Sequence, residues 1–401
     1  MKENAAPGPL NGIKVIDCST VVAAPTCSQL LGDYGANVIK VESPAGDEGR
    51  RICTTNEDGL STHFIGLNRN KRSIGLDLNK EKGREVLLQL LEEADVFLEN
   101  YKPGTLEKWG IGYEQLLRER FPRLIYCTIS GFGADGPLGG LPGYDAVAQA
   151  FSGIMSFSGE SGGDPQRVCL NIVDTATGLY AHGAIGMALL ERQQSNKGQM
   201  LDLSLYDTAF TLMHPFASTW INSKINPERM GSRHPAAAPY DVYPVADGHI
   251  LLCVVNNVQF SRLCNLLDCP TLFDDPRFID NANRVKNIDA LSGILTELLQ
   301  SQEKITFSVA CLEAGIAAGP VLTVEEALSH PHATARKVTL ERDNFKAINN
   351  PVKLSRTPTQ LNRKPCQYGE HNNEILTEIG LSNREIKSLK EQGILFDEPE
   401  H

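Results

Sequence analysis

Short runs of Val, Ile and Leu alternate with amphipathic stretches over the first half of the chain. Six of these runs have the length and composition of buried strands, at 12–19, 37–43, 72–78, 95–100, 123–130 and 199–205. The stretches between them predict helices at 25–34, 80–93, 113–120, 144–157 and 175–194. Alternating strands and helices are typical of a parallel sheet with helices on both faces. The pattern therefore predicts an α/β fold with a Rossmann-like, doubly wound sheet.

The pattern changes after about residue 222. Proline and glycine interrupt two short strand-like runs within 231–255, and helical patterns follow at 256–267, 283–301 and 304–313. A strand, a turn and a short helix are predicted within 318–331. We interpret 225–330 as a second, smaller α+β domain. The tail shows a helical pattern over 370–395, in which Gly380 and Gly393 are expected to end helices.

Composition narrows the class of protein. The chain has 401 residues, of which 41% are hydrophobic, so it can form one large or two ordinary domains. A net charge of -11 argues against nucleic-acid binding, because phosphate backbones require a basic surface. A few well-placed Lys and Arg side chains could still bind a small anion.

The cysteines and the absence of apolar segments predict a cytoplasmic protein. Ten cysteines are scattered without a CxxC pair, which favours free thiols over disulfides or a zinc site. The first twelve residues resemble neither a secretion signal nor an organelle presequence. No apolar run approaches the ~20 residues that cross a bilayer, so no membrane partner is expected.

The common nucleotide and metal motifs are missing. The first predicted strand continues into Thr-Val-Val-Ala-Ala-Pro without a GxGxxG turn, and no Walker A sequence occurs. A GxSxG match at 159–163 lies in a polar loop context, without the preceding strand and following helix of a nucleophile elbow. The nine histidines form no metal-ligand spacing, so we predict no metal site.

One aspartate has the placement of a possible nucleophile. An apolar run ends at Asp174, and a long helical pattern follows it. An aspartate at a helix start is a common N-cap, but a cap can also attack an electrophile. We expect the helix dipole to hold this carboxylate ionised. Small side chains would let a ligand or another backbone approach the helix; these are Ala176, Gly178, Ala181, Gly183, Ala184 and Gly186.

Several segments, taken in order, carry a resemblance to a known family. They are 10–17, 32–42, 68–74, 99–104, the segment around Asp174, 197–199, 314–316 with 319–321, and 369–371. With this order and spacing the chain resembles, from end to end, the family III CoA-transferases. That group includes formyl-CoA, carnitine and succinyl-CoA:glutarate CoA-transferases.

The resemblance implies a fold, an assembly and a mechanism. It implies a large Rossmann-like CoA-binding domain made of 1–224 and 331–401, a small α+β domain at 225–330, and an interlocked homodimer. The family's nucleophilic aspartate falls on Asp174, which would form an aspartyl anhydride and then a thioester. The substrates would be an acyl-CoA and small carboxylic acids, with no tightly bound cofactor.

The resemblance also implies CoA contacts, each of which has a structural alternative. The implied contacts are Leu76, Asn79, Asn100, Tyr101, Lys108 and Tyr144. Leu76 could instead be strand core, Asn100 a turn residue and Tyr144 a packing residue at a helix start. Lys40, Lys71 and Arg72 are weaker phosphate candidates, with solvated surface charge as their alternative.

Two departures from relatives bear on the reaction. The glycine-rich lid of formyl-CoA transferases is replaced by 231–238, which disfavours oxalate and formate. Within it, Arg233 and His234 either meet a second carboxylate of the acid or lie on the surface. Racemases of the same fold use a Gly-His-Asp sequence, but here Tyr144 replaces the histidine. A phenol with a pKa near ~10 is a poor proton acceptor at neutral pH.

We therefore predict a CoA-transferase that uses succinyl-CoA or a similar donor, with dicarboxylates as favoured acceptors. An acyl-CoA racemase or intramolecular CoA-transferase is the alternative enzyme. An inactive CoA-binding protein is the alternative without catalysis.

Overall fold

A computed structural model describes residues 7–56 and 59–400. The chain divides into two compact units. The first contains the chain through Ile154, then Val168–Lys224, and then the chain from Arg336 onward. The second contains Met155–Arg167 and Ile225–Ala335. The domain limits implied by the resemblance stay predictions, and the contribution of Met155–Arg167 to the second unit had no signal in the sequence.

Seven strands form the sheet of the first unit. The strands of the described residues are β1 Lys14–Cys18, β2 Asn37–Glu42, β3 Lys71–Leu76, β4 Val96–Glu99, β5 Ile125–Ser130, β6 Met200–Ser204, β7 Tyr240–Val245, β8 Gly248–Cys253, β9 Ala317–Pro320, β10 Thr339–Arg342, β11 Phe345–Ile348 and β12 Leu395–Phe396. The large sheet has the order β12-β3-β2-β1-β4-β5-β6. Strands β1 to β6 are parallel, and β12 is antiparallel to β3. The six predicted strands are confirmed, and the order 3-2-1-4-5-6 is that of a doubly wound sheet.

Helices connect these strands. They are α1 Ala23–Asp33, α2 Thr62–Leu67, α3 Glu81–Leu91, α4 Thr105–Lys108, α5 Arg118–Arg120, α6 Asp145–Ser152, α7 Ile154–Phe157, α8 Ile172–Ser195, α9 Leu205–Leu212, α10 Phe216–Ser223, α11 Asn257–Leu266, α12 Asn281–Lys286, α13 Ile288–Leu299, α14 Lys304–Glu313, α15 Val324–Ser329, α16 Pro331–Arg336, α17 Asn372–Glu378 and α18 Asn383–Glu391. Glu48–Arg51 and Pro270–Asp274 are 3-10 turns, and Tyr113–Leu117 is a π-helical turn. The helix predicted over 144–157 is interrupted because Gly153 adopts a φ of 96° after α6.

The C-terminal tail completes the core of the first unit. Ile375 and Leu376 of α17 and Leu389 of α18 are buried in the same apolar cluster as strand residues such as Ile74 and Phe97. Gly380 and Gly393 follow the two helices with φ of 88° and 62°, so both predicted helix stops are confirmed. This packing covers the β3 edge of the sheet, where β12 pairs with it.

The second unit has its own core. Strands β7, β8 and β9 form an antiparallel sheet, and apolar side chains of α11, α13 and α14 are buried with it. Arg284 is fully buried there, with its guanidinium 4.6 Å from the ring centroid of Phe260. It donates to the carbonyl oxygens of Ala238 and Phe278 at 2.7 and 3.1 Å. These bonds make the buried arginine part of the scaffold.

No helix among the described residues is both long and apolar enough to cross a membrane. All ten cysteines carry free thiols.

Candidate active site

The carboxyl ends of the parallel strands surround a cavity of about 260 Å³. Thr20 follows β1, Asn100 follows β4, Gly131 follows β5 and Leu205 follows β6, and all four line it. Asp174 lines the same cavity. In doubly wound sheets, ligands bind outside the carboxyl ends of the strands where the strand order reverses, which here lies between β1 and β4. This cavity is therefore the candidate active site.

Asp174 lies in the first turn of α8, but it is not the N-cap. The cap position belongs to Asn171, whose side chain makes no capping bond. The backbone N–H groups of Val173 and Asp174 instead donate to Oδ2 of Asp145, at 2.8 and 3.1 Å. Within 7–56 and 59–400, the carboxylate of Asp174 accepts no hydrogen bond and is free to meet a ligand in the cavity.

The charge state of Asp174 differs from the sequence-based expectation. Burial, with a further contribution from the nearby negative charge of Asp145, raises the pKa of Asp174 to about 7. This is opposite to the expectation that the helix dipole holds this carboxylate ionised, because burial and then the charge of Asp145 favour the protonated form, and Asp145 also accepts the helix N–H groups. Near neutral pH a large fraction of Asp174 is still the ionised form that can attack a carbonyl.

A close helix contact fixes where Asp174 lies. A Cβ at Gly178 would lie 2.4 Å from the carbonyl oxygen of Ala23 and 2.8 Å from Cβ of Thr26. The predicted close approach to the small-residue face of this helix is thus confirmed at Gly178. It brings α8, with Asp174, against the start of α1, where Ala23 also lines the cavity.

Three of the implied CoA contacts line the cavity. The side-chain amide of Asn100 forms two 2.9 Å hydrogen bonds with the backbone of Thr20, accepting from its N–H and donating to its carbonyl. The ring of Tyr101 packs edge-on against Trp109 at a centroid distance of 5.4 Å. Tyr144 precedes α6 and is 65% exposed. The structure brings these side chains together with Asp174, and their role in binding CoA stays a prediction.

The other three implied contacts do not line it. Leu76 is fully buried in β3 and pairs with Leu395 of β12. Asn79 is exposed beyond the end of β3, and Lys108 is exposed at the end of α4. A contact through the buried side chain of Leu76 would require rearrangement, whereas the side chains of Asn79 and Lys108 are exposed to solvent.

The two implied acid contacts belong to the second unit. Arg233 forms ion pairs with Asp241 at 3.3 Å and with Asp289 at 3.1 Å. The ring of His234 stacks on Tyr240 at 4.8 Å. Arg233 is therefore already neutralised by two carboxylates, and binding a substrate carboxylate would have to compete with them.

The weaker phosphate candidates are structural. The side chains of Lys40 and Lys71 are fully buried, in ion pairs with Asp47 at 2.8 Å and Asp17 at 3.3 Å. Arg72 pairs with two glutamates of α17. Neither sequence-based interpretation was right for these residues, because buried ion pairs are neither phosphate ligands nor solvated surface charges.

Sequence reasoning missed the turn between β1 and α1. Val21 and Val22 line the cavity beside Asp174, and Glu48 and Lys102 supply its charged rim. This segment has no glycine motif that would mark it as a ligand-binding turn. Its position at the carboxyl end of a predicted strand was the available signal.

A cluster of Cys366, Glu370 and His371 has donor atoms within 4.8 Å of one another. Nδ1 of His371 accepts a hydrogen bond from the N–H of Ser73 at 3.3 Å. In the neutral ring, Nε2 then carries the proton, so neither nitrogen offers a lone pair to a metal.

Comparison with known proteins identifies the family. The family model described as CoA-transferase family III matches residues 10–372. The chain belongs to this family. It is 36% identical to the succinate–glutarate CoA-transferase of Agrobacterium fabrum, over 92% of this chain and 96% of that protein. It is also 36% identical to the acetyl-CoA:oxalate CoA-transferase of Acetobacter aceti, over 87% and 90% of the two chains.

The structural comparison agrees with the family. A crystal structure of a CAIB/BAIF family protein from Brucella suis matches with a TM-score of 0.87 and 36% identity, over 93% of this chain and all of that one. The family resemblance inferred from the sequence motifs is confirmed. The protein is a CoA-transferase, and CoA thioesters are the substrates of such enzymes.

Proposed function

We propose that this enzyme transfers CoA from succinyl-CoA or a similar thioester to a small dicarboxylic acid, with Asp174 as the covalent nucleophile. The observation that carries the proposal is the placement of Asp174. Its carboxylate lines the cavity at the switch point of the sheet without a hydrogen-bond partner in the described chain. The acids in the name of the Agrobacterium relative, succinate and glutarate, are both dicarboxylates.

The reaction balances without an external acid or base. A carboxylate oxygen of Asp174 attacks the thioester carbonyl and expels CoA thiolate, which forms a mixed anhydride. The thiolate then attacks the aspartyl carbonyl, which releases the first acid and leaves an aspartyl thioester. The incoming carboxylate attacks that thioester, and the expelled thiolate attacks the acyl carbonyl of the new anhydride. The new acyl-CoA leaves and the carboxylate of Asp174 is restored.

The cavity wall suits an intermediate that water would destroy. Val22, Leu141 and Leu205 contribute apolar surface beside Asp174. Apolar walls reduce the water available to hydrolyse an anhydride. The cavity has no histidine among its described lining residues, which favours acyl transfer over the proton abstraction of a racemase.

The proposal extends to assembly and location. On α8, Leu179, Tyr180, Met187 and Leu190 are more than half exposed and share one face of the helix. A second copy of the chain would cover this face in a homodimer. Ten free thiols suit the reducing conditions of the cytoplasm.

The test combines a substrate panel with a matched variant. The enzyme is incubated with succinyl-CoA and single free acids, and new acyl-CoA species are measured by mass spectrometry. We expect a new thioester only when an acceptor acid is present. D174N should lose transfer yet bind CoA, whereas D164N, in an exposed loop, should behave as wild type. Normal transfer by D174N would refute the mechanism, and epimerisation of a chiral 2-methylacyl-CoA without any acid would indicate a racemase.

A further inference from the structure

The turn between β1 and α1 (residues 19–22) has an unfavourable backbone conformation. Val21 has a φ of 70°. This left-handed region is disfavoured for β-branched residues, and such strain persists only where surrounding groups impose it. Thr20, Val21 and Val22 all line the cavity of Asp174. The strained residue therefore lines the same cavity as the proposed nucleophile.

Polar side chains from three separate segments hold the turn. Nζ of Lys40, on β2, donates to the carbonyl of Ser19 at 2.6 Å. Asn100, after β4, bonds to both the N–H and the carbonyl of Thr20. Oδ1 of Asp47 accepts the N–H of Val21 at 3.0 Å. The Ser19–Thr20 and Thr20–Val21 peptide units are thus each held by side chains from outside the turn.

Asp47 has the central place in this arrangement. Its Oδ1 also accepts the N–H of Gly49 at 2.8 Å, at the start of the 3-10 turn that brings Glu48 to the cavity. Its other carboxylate oxygen lies 2.8 Å from Nζ of Lys40, and both side chains are fully buried. Burial opposes its charge, but the ion pair with Lys40 and the backbone N–H groups hold the pKa of Asp47 at about 2.

We infer that Asp47 is a positioning residue for the transfer reaction, which keeps Val21 in its left-handed conformation and so shapes the wall of the cavity that Asp174 also lines. The inference rests on the proposed function. Asp47 is not among the described residues that line the cavity. It acts through the turn, and misplacement of groups by about 1 Å can cost about 100-fold in rate.

The test uses glycine to separate this role from general stability. D47A removes the acceptor for Val21 and should lower kcat about 100-fold, with the KM for acyl-CoA little changed. D47N keeps an acceptor oxygen and should retain more activity than D47A. Glycine adopts positive φ without steric cost, so V21G introduced into D47A should recover part of the lost kcat. Wild-type kcat in D47A, or no recovery in the double variant, would overturn the inference.

If D47A does not fold, Val21 itself supplies the test. Proline fixes φ near −65° and has no N–H, so V21P should lower kcat about 100-fold while CoA still binds. V21G should retain more activity than V21P, because glycine adopts positive φ without steric cost. Equal activity of V21P and V21G would refute the role of the turn.

Two further variants distinguish a loss of positioning from a loss of stability and from a failure of the proposed function. Asp95 also accepts a backbone N–H, from Lys14 at 2.9 Å, and pairs with Arg192 at 2.7 Å, but at the opposite end of the sheet. D95N should lower stability without lowering kcat, and a kcat loss equal to that of D47A would overturn the inference. D174N is measured in parallel. If it transfers CoA normally, the proposed function fails; if it is inactive while D47A keeps full kcat, only the positioning role fails.

Discussion

At the scale of single residues, the two carboxylates at the start of α8 have different roles. Asp145 accepts the N–H groups of Val173 and Asp174 and so satisfies the helix terminus. That leaves Asp174 without the stabilisation that an N-cap receives, and beside a like charge. A carboxylate that is poorly stabilised in the ground state is a better nucleophile than one held by helix N–H groups.

The pH dependence of the reaction tests whether Asp145 affects the ionisation of Asp174. Because burial, and then Asp145, raise the pKa of Asp174 to about 7, kcat/KM should rise with pH through about 7 as the nucleophile ionises. Asn at position 145 can accept the same N–H groups without the charge. D145N should therefore shift the rise to lower pH, by less than the whole elevation because burial is the larger cause. An unchanged profile for D145N, with D164N as control, would contradict this account.

At the scale of elements, the sequence predicts those strands and helices that a local hydrophobic pattern determines. The parallel strands were predictable because each is an apolar run between helices. The two-residue strand β12 was not, because its pairing with β3 joins residues more than 300 positions apart. The hairpin of β10 and β11 was missed as well, since both strands are mostly exposed and lack an apolar run.

The candidate site shows the same limit. Asp174 was predictable from the apolar run before it, the helix after it and the family resemblance. The left-handed conformation of Val21 was not, because it depends on Asp47, which is 26 residues away in sequence. Lys40 and Lys71 were misread because a sequence does not show whether a lysine meets solvent or a buried aspartate.

The contact between α1 and α8 gives a prediction at this scale. G178A places a methyl group against the carbonyl of Ala23, a backbone atom that cannot rotate away. We expect a loss of about 1–3 kcal/mol in unfolding free energy and a lower kcat, because the helix that bears Asp174 must shift. Thermal unfolding and transfer assays measure both.

Gly293 is the matched control for that prediction. It is also inside a helix, α13, but a Cβ there would meet open space. G293A should be neutral, or stabilising by up to about 1 kcal/mol. Equal destabilisation by G178A and G293A would show that the close approach of α1 to α8 is not the reason for the loss of stability in G178A.

At the scale of the whole molecule, net charge is a poor guide to what the enzyme binds. The protein carries a net charge of -11 although CoA is itself an anion. Many of its cations are used internally: Lys40, Lys71 and Arg69 all lie in buried ion pairs. Lys102 is exposed and lines the cavity, so its ammonium group is available to a ligand there. Anion binding therefore depends on a few local side chains rather than on the overall charge.

The 24-residue helix α8 leads to the last prediction, which concerns assembly. One face of this helix, about 36 Å long, packs on α1 and the sheet, whereas the opposite face exposes Met187 and Leu190 to 66% and 55%. We expect a dimer by light scattering after size-exclusion chromatography, because burying this face removes apolar surface from water. Burying a charged side chain in an apolar interface costs desolvation free energy. The double variant M187E/L190E should therefore be monomeric. V324E, at a side chain that is 78% exposed in the second unit, should leave the mass unchanged. A wild-type monomer, or a dimer that withstands both glutamates, would show that this face of α8 does not join two copies.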